Sequence, residues 1–106
     1  MHLFGLALLL AAAPAADLPS REEVIVALAR WDSTAPRRVL ETLDCRPEAA
    51  DEVAGRPSLV LCRFSGELAL PDGRRRRFGL DCAYLARDAE RIWRIEYFPD
   101  AEFCDF

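Results

Sequence analysis

The chain has 106 residues, 52% of them apolar, with 14 basic and 18 acidic side chains, every basic one an Arg. That length holds one domain, and the apolar fraction excludes a disordered chain. The net charge of −4 excludes general nucleic-acid binding, which needs a basic surface to displace counterions.

In chain order, the first feature is an uncharged apolar run from Leu3 to Ala13. It is too short for a bilayer span, which takes about 20 residues. Ala13-Pro14-Ala15-Ala16-Asp17 follows, with small residues spaced for a signal-peptidase site. Residues 1–15 therefore read as a cleavable secretory leader and 16–106 as a single small domain, although the leader's start carries only the terminal amine and His2 as cations. The alternative is an uncleaved core helix, which Pro14 and the Ala/Leu composition suit less well. No Cys ends the run, so no lipid-attachment site is expected. The expected product has no transmembrane span and is periplasmic or extracellular. His2 is the only histidine and leaves with the leader. That removes Ser–His and Cys–His catalysis and His-ligated metals, so the expectation is no enzyme, no cofactor and no metal.

Ser20-Arg21-Glu22-Glu23 is a capping box, with the Ser20 hydroxyl accepting the Glu23 N–H and the Glu23 carboxylate reaching back. Val24, Ile25, Leu28 and Trp31 recur at helical spacing, which predicts a helix over 20–31. Asp32-Ser33-Thr34 reads as the cap of a second helix over 35–44, with Pro36 in its first turn and Val39, Leu40 and Leu43 on its buried face. Residues 46–57 read as a connector with a short helix between Pro47 and Gly55.

After Pro57 the pattern alternates. It predicts strands over 58–70, 75–86 and 91–98. Pro71-Asp72-Gly73 suits a three-residue hairpin loop, with Gly73 left-handed. That loop pairs Leu68 with Arg76, Phe64 with Leu80 and Cys62 with Cys82. A second turn over 87–90 sets Tyr84 against Trp93 and Cys82 against Ile95. One sheet face then holds Cys62, Phe64, Leu68, Phe78, Leu80, Cys82, Tyr84, Trp93, Ile95 and Tyr97 and reads as the core. The expected fold class is α+β: two N-terminal helices packed on one face of a three-stranded antiparallel meander, with room for a fourth strand, stapled by disulfides.

Cys45, Cys62, Cys82 and Cys104 form no C-x-x-C pair, which excludes zinc knuckles and thioredoxin-type sites. An even count in a small exported chain reads as two disulfides. The favoured pairing is Cys45–Cys62 with Cys82–Cys104, the first joining the second helix to the sheet. The alternative is Cys45–Cys104 with Cys62–Cys82.

Three surfaces are candidates for function. Arg74, Arg75, Arg76 and Arg77 either clamp an anion, such as a lipid headgroup, or simply solubilise a hairpin. The polar sheet face carries Arg63, Glu67, Asp81, Arg94 and Glu96 as partner-binding candidates. The register there sets Asp81 between Arg63 and Glu96, so two carboxylates face each other in an arrangement able to share a proton. The acidic, aromatic tail from Phe98 to Phe106 reads as a cover for a sheet edge, tied down by Cys104. The expected partner is another exported or envelope protein.

The layout resembles the small exported α-α-β-β-β modules, among them outer-membrane-assembly lipoproteins and the repeats of β-lactamase inhibitor proteins. The closing Ile92-Trp93-Arg94-Ile95 strand is similar to the last strands of cystatin-like and nuclear-transport-factor-2-like sheets. The first resemblance implies a non-enzymatic interaction module. The second implies a small-ligand domain with a pocket between helices and sheet. Neither carries a residue-by-residue motif, so no site follows from them.

Overall fold

A computed structural model of the chain describes residues 17–48 and 59–105. The leader and most of the connector with its expected short helix lie outside the described residues. The order is helix α1 (Arg21–Trp31), strands β1 (Arg37–Pro47), β2 (Val60–Ala69), β3 (Arg75–Arg87) and β4 (Trp93–Tyr97), and a 3-10 turn at Ala101–Cys104. The strands form one antiparallel sheet in the order β1-β2-β3-β4.

Helix α1 starts where the capping box places it. The Ser20 N–H donates to Glu23 Oε1 (2.8 Å), and the Glu23 N–H donates to Ser20 Oγ (3.2 Å). Val24, Ala27 and Leu28 bury its inner stripe. Asp32 ends it: its carboxylate accepts from the Thr34 N–H (3.0 Å) and hydroxyl (2.7 Å). This Asx turn leads the chain straight into a strand, so Asp32 does not cap a second helix.

The second helix is the main correction to the fold, because its residues form β1. The helical spacing has a specific cause. Arg38 lies opposite Leu68 and Leu40 opposite Gly66, but Thr42 lies opposite Ser65, which makes Glu41 the extra residue of a bulge. The bulge puts Leu40 and Leu43, three residues apart, on the same face of a strand. Their packing against the core is what the sequence mimics as a helix stripe.

Gly66 permits this. A Cβ there would meet the Val39 carbonyl oxygen at 2.0 Å. Only a residue without a side chain lets bulged β1 approach β2 so closely.

The first hairpin closes as the sequence predicts. The Leu70 N–H donates to the Arg74 carbonyl (2.9 Å), and Gly73 has φ +89°. The expected register holds from Ala69–Arg75 to Gly66–Phe78 and then slips by one, with Phe64 opposite Asp81 and Cys62 opposite Ala83. Gly79 and Leu80 together face Ser65 in a second bulge. Beyond it every β3 side chain is on the opposite face from the expected one. Ala83 and Leu85 enter the core, while Leu80 is exposed and Cys82 and Tyr84 turn away from the helix.

The second hairpin differs too. Its loop is Ala89-Glu90-Arg91, closed by Asp88 and Ile92, and it sets Leu85 against Ile95 and Arg87 against Trp93. Arg91 takes the left-handed position (φ +67°) that Gly73 fills in the first loop.

The core between helix and sheet is Val24, Ala27, Leu28, Leu40, Val60, Cys62, Phe64, Ala83, Leu85, Trp93 and Ile95. A smaller cluster on the far sheet face joins Leu61, Cys82 and Cys104, with Tyr84 against it. Tyr97, expected in the core, is exposed.

The bridges are Cys45–Cys62 (Cα–Cα 4.0 Å) and Cys82–Cys104 (5.4 Å). The first staples two neighbouring strands, not a helix to the sheet. The second anchors the tail to the far face, as the tail reading anticipates. Cys62 and Cys82 are not opposite each other and lie on different faces.

Two stability changes follow. Gly66→Ala should cost about 1–3 kcal/mol through the Val39 clash, and Gly79→Ala, whose Cβ would meet open space, is the control in urea unfolding. Arg91→Gly should raise stability by roughly 0.5–1 kcal/mol by relieving the left-handed backbone, read as a higher melting temperature.

Candidate functional site

The polar face expected to dock a partner is divided by the β3 bulge. Arg63 and Glu67 remain on the far face. There Arg63 pairs with Asp44 (3.3 Å), Arg75 with Glu67 (3.4 Å), and Arg77 with Glu41 (2.6 Å) and Glu67 (3.9 Å). The Thr42 and Ser65 hydroxyls join at 2.6 Å. These pairs form a charge network between β1, β2 and β3, made of other residues than the expected Arg63, Asp81 and Glu96, and most of its charge is satisfied internally.

The Arg hairpin is tied down in the same way. Arg74 pairs with Asp72 (2.5 Å), and Arg75 and Arg77 belong to the lattice. Arg76 is exposed, on the same face as Leu68. Internal pairing leaves this hairpin less charge for an outside anion than its four arginines suggest.

Asp81 corrects the sequence reading most sharply. It faces neither Arg63 nor Glu96; its ladder partner is Phe64. Its Oδ2 accepts from Arg38 Nη1 at 3.0 Å, and its Oδ1 accepts from the Cys82 N–H at 2.9 Å. Glu96 is the extra residue of an irregularity in β4 and is exposed. The two carboxylates do not form a proton-sharing pair. Arg94 reaches Asp88 (2.6 Å) instead of Asp81.

Arg38 is the residue that sequence reasoning missed, because it fell on the supposed second helix. Its guanidinium lies 4.8 Å from the Phe78 ring centroid and 5.5 Å from that of Phe64. Its side chain is 25% exposed and that of Asp81 39%. Two aromatic faces and one carboxylate thus hold a cation at the edge of the core, with part of it still open to solvent. An Arg two residues ahead of Leu40 on the inward face was the available signal, legible only once β1 is read as a strand.

This ion pair lies in a cleft of about 590 Å³, open to solvent, between the end of α1 and the start of β1. Ile25, Leu28, Trp31 and Phe98 give it an apolar wall; Arg37, Arg38, Asp32 and Asp81 give it charge of both signs. Trp31, which shares the helical spacing of the buried Val24 and Leu28, is 53% exposed and packs edge-on against Phe98 with ring centroids 5.5 Å apart.

Elsewhere, Arg87 stacks on Trp93 (4.7 Å) and grips the Asp17 carboxylate through two bonds (2.6 and 2.9 Å). Asp88 accepts from the Glu90 and Ile92 N–H groups (2.8 and 2.9 Å) as well as from Arg94, and so organises the second loop. Comparison with protein-family models, with curated proteins and with solved structures finds no match to this chain in any of the three.

The Arg87 hydrogen bond lowers the Asp17 pKa, bonds from Thr34 lower that of Asp32, and the Arg94 hydrogen bond followed by the Ile92 N–H lowers that of Asp88. For a carboxylate depressed in the folded state, the unfolded chain takes up protons first as pH falls. Its contribution is therefore full above the unfolded value of about 3.9 and disappears as pH drops through the folded value. Asp88→Asn should reduce the loss of melting temperature between neutral and acid pH, as followed by circular dichroism.

Proposed function

We propose that this chain is an exported, disulfide-stapled, non-enzymatic module that binds another exported or envelope protein. Two disulfides fit an oxidising environment outside the cytoplasm, periplasmic or extracellular. Among the described residues no helix is long and apolar enough to cross a membrane.

The observation that carries the reading is Trp31. A tryptophan 53% exposed, braced by Phe98 and next to Arg37 and Arg38, combines the residue types that dominate binding hot spots. The helix that bears it is fixed to the sheet by a buried stripe, so the aromatic is presented without a large ordering cost. The docking face we assign is the cleft rim. Arg63 and Glu67 are already engaged in pairs, so the polar lattice supports this role less well.

A second reading, a small-ligand domain of the cystatin-like or nuclear-transport-factor-2-like type, draws support from the cleft's volume of about 590 Å³. The exposure of its aromatic wall favours the protein partner, because ligand pockets cover most of what they bind.

The test uses the oxidised protein as bait on periplasmic or secreted fractions. A partner recovered by the wild type and by Arg63→Gln should bind Trp31→Ala about 30-fold more weakly, the loss of a hot spot of about 2 kcal/mol. Equal binding by Trp31→Ala would move the docking face away from the cleft.

A further inference from the structure

The hydrogen-bonding capacity of the cleft is unbalanced, and the imbalance says what kind of group completes it. The acceptors are each engaged within the protein. Both Asp81 oxygens accept, one from Arg38 and one from the Cys82 N–H. The Asp32 carboxylate accepts from the Thr34 N–H and hydroxyl within its own turn, both on Oδ1, and the Asp32 backbone carbonyl accepts from the Ala35 N–H. The donors are not occupied. A guanidinium has five N–H groups, and Arg38 gives one bond, to Asp81. Arg37 lines the same cleft and is exposed, with no carboxylate partner among the described residues.

Two cations and two carboxylates, Asp81 tied to Arg38 and Asp32 to its own turn, therefore face an apolar wall of Trp31, Ile25 and Phe98. Arg38 is also held in place by two rings, so its remaining donors are aimed before any partner arrives.

We infer that this cleft takes a carboxylate side chain flanked by an aromatic or large aliphatic one, carried on an exposed segment of the partner protein. The inference rests on reading the cleft as the docking face. The carboxylate occupies the outward donors of Arg37 and Arg38, and the apolar neighbour covers Trp31. A protein segment suits the site better than a free acid. The cleft is open and Trp31 stands half out of it, so covering the indole needs a body wider than a small molecule. The chain's net charge of −4 opposes an acidic partner at long range, so the attraction is local and weakens with salt.

The experiment is a nuclear magnetic resonance titration of the oxidised full chain. The probes are the capped peptide Ac-Gly-Phe-Glu-Phe-Gly-amide, its Gln counterpart, and phenylacetate. The Glu peptide should shift the Trp31 indole and Arg38 Nε signals saturably and bind about tenfold more tightly than the Gln peptide. Arg38→Gln should abolish that preference. Arg37→Gln, an exposed change that leaves the Asp81 pair intact, should weaken it several-fold and decides the matter should Arg38→Gln fail to fold.

Equal affinity for the Glu and Gln peptides, a preference unchanged in Arg37→Gln, or shifts outside the cleft would overturn the inference. Phenylacetate binding as tightly as the Glu peptide would overturn the assignment to a protein segment in favour of a free organic acid. If the Glu peptide shows no preference but capture of the partner still depends on Trp31, the carboxylate is wrong and the docking face stands. If the preference holds but capture ignores Trp31, the docking face falls and the chemistry of the cleft stands.

Discussion

The backbone contact between Gly66 and Val39 governs how β1 joins the sheet. With 2.0 Å between a would-be Cβ and the Val39 oxygen, the strands meet there only because residue 66 has no side chain. The contact lies against the Glu41 bulge, and the bulge resets the phase of everything after it. Leu43 and Cys45 turn toward the helix, and Cys45 arrives directly opposite Cys62. Without the extra residue, Thr42 and Asp44 would face the core, and the Asp44 carboxylate would be buried away from Arg63, which stays on the far face, leaving an unpaired charge inside. Ahead of the bulge, the original phase leaves Arg38 inward, where the edge of the core becomes a cleft.

The same irregularities decide what the sequence discloses. A capping box announces α1 because its hydrogen bonds are local, spanning Ser20 to Glu23. The first hairpin is legible for the same reason: Gly73 and the Pro71-Asp72 pair specify the loop, and the loop sets the first few partners. Bulges are different. Each is stabilised by a strand far away in the chain, and one extra residue converts period two into an apparent period near three and a half. Val39, Leu40 and Leu43 thus imitate a helix, and the Leu80-Cys82-Tyr84 alternation imitates the wrong face of β3. The Asp81 site was lost with it. Asp81 and Arg38 are separated by 43 positions, and each had to be placed correctly for the pair to appear.

The disulfides stabilise this topology at its two open ends. β1 is an edge strand, and its pairing with β2 comes after a connector, so the Cys45–Cys62 bridge closes a separation of 17 residues in the unfolded chain as well. Closure of that order contributes about 3 kcal/mol in the chain-entropy account. The Cys82–Cys104 bridge holds a tail whose 3-10 turn buries only Cys104. The pairing was legible although the geometric reason given for its first half was not, since a strand, not a helix end, carries Cys45. A domain this small gains from such bridges because its core is limited by surface-to-volume ratio.

With every cation being Arg, charge placement becomes a matter of which guanidiniums are already committed. On the far face, Asp44, Glu41 and Glu67 absorb Arg63, Arg75 and Arg77. At the second loop, Asp17 and Asp88 absorb Arg87 and Arg94. These pairs are mostly exposed and each adds little stability, yet they consume the charge that would otherwise attract a partner. The cleft is different because its acid, Asp81, divides its two oxygens between Arg38 and a backbone N–H, leaving Arg38 held but incompletely bonded. An immobilised guanidinium with donors to spare, next to a tryptophan braced by Phe98, has both directional and apolar components of recognition in one place. The hairpin, with more arginines, lacks the aromatic wall and has most of its charge paired, and so the sparser cluster supports the proposed docking role better.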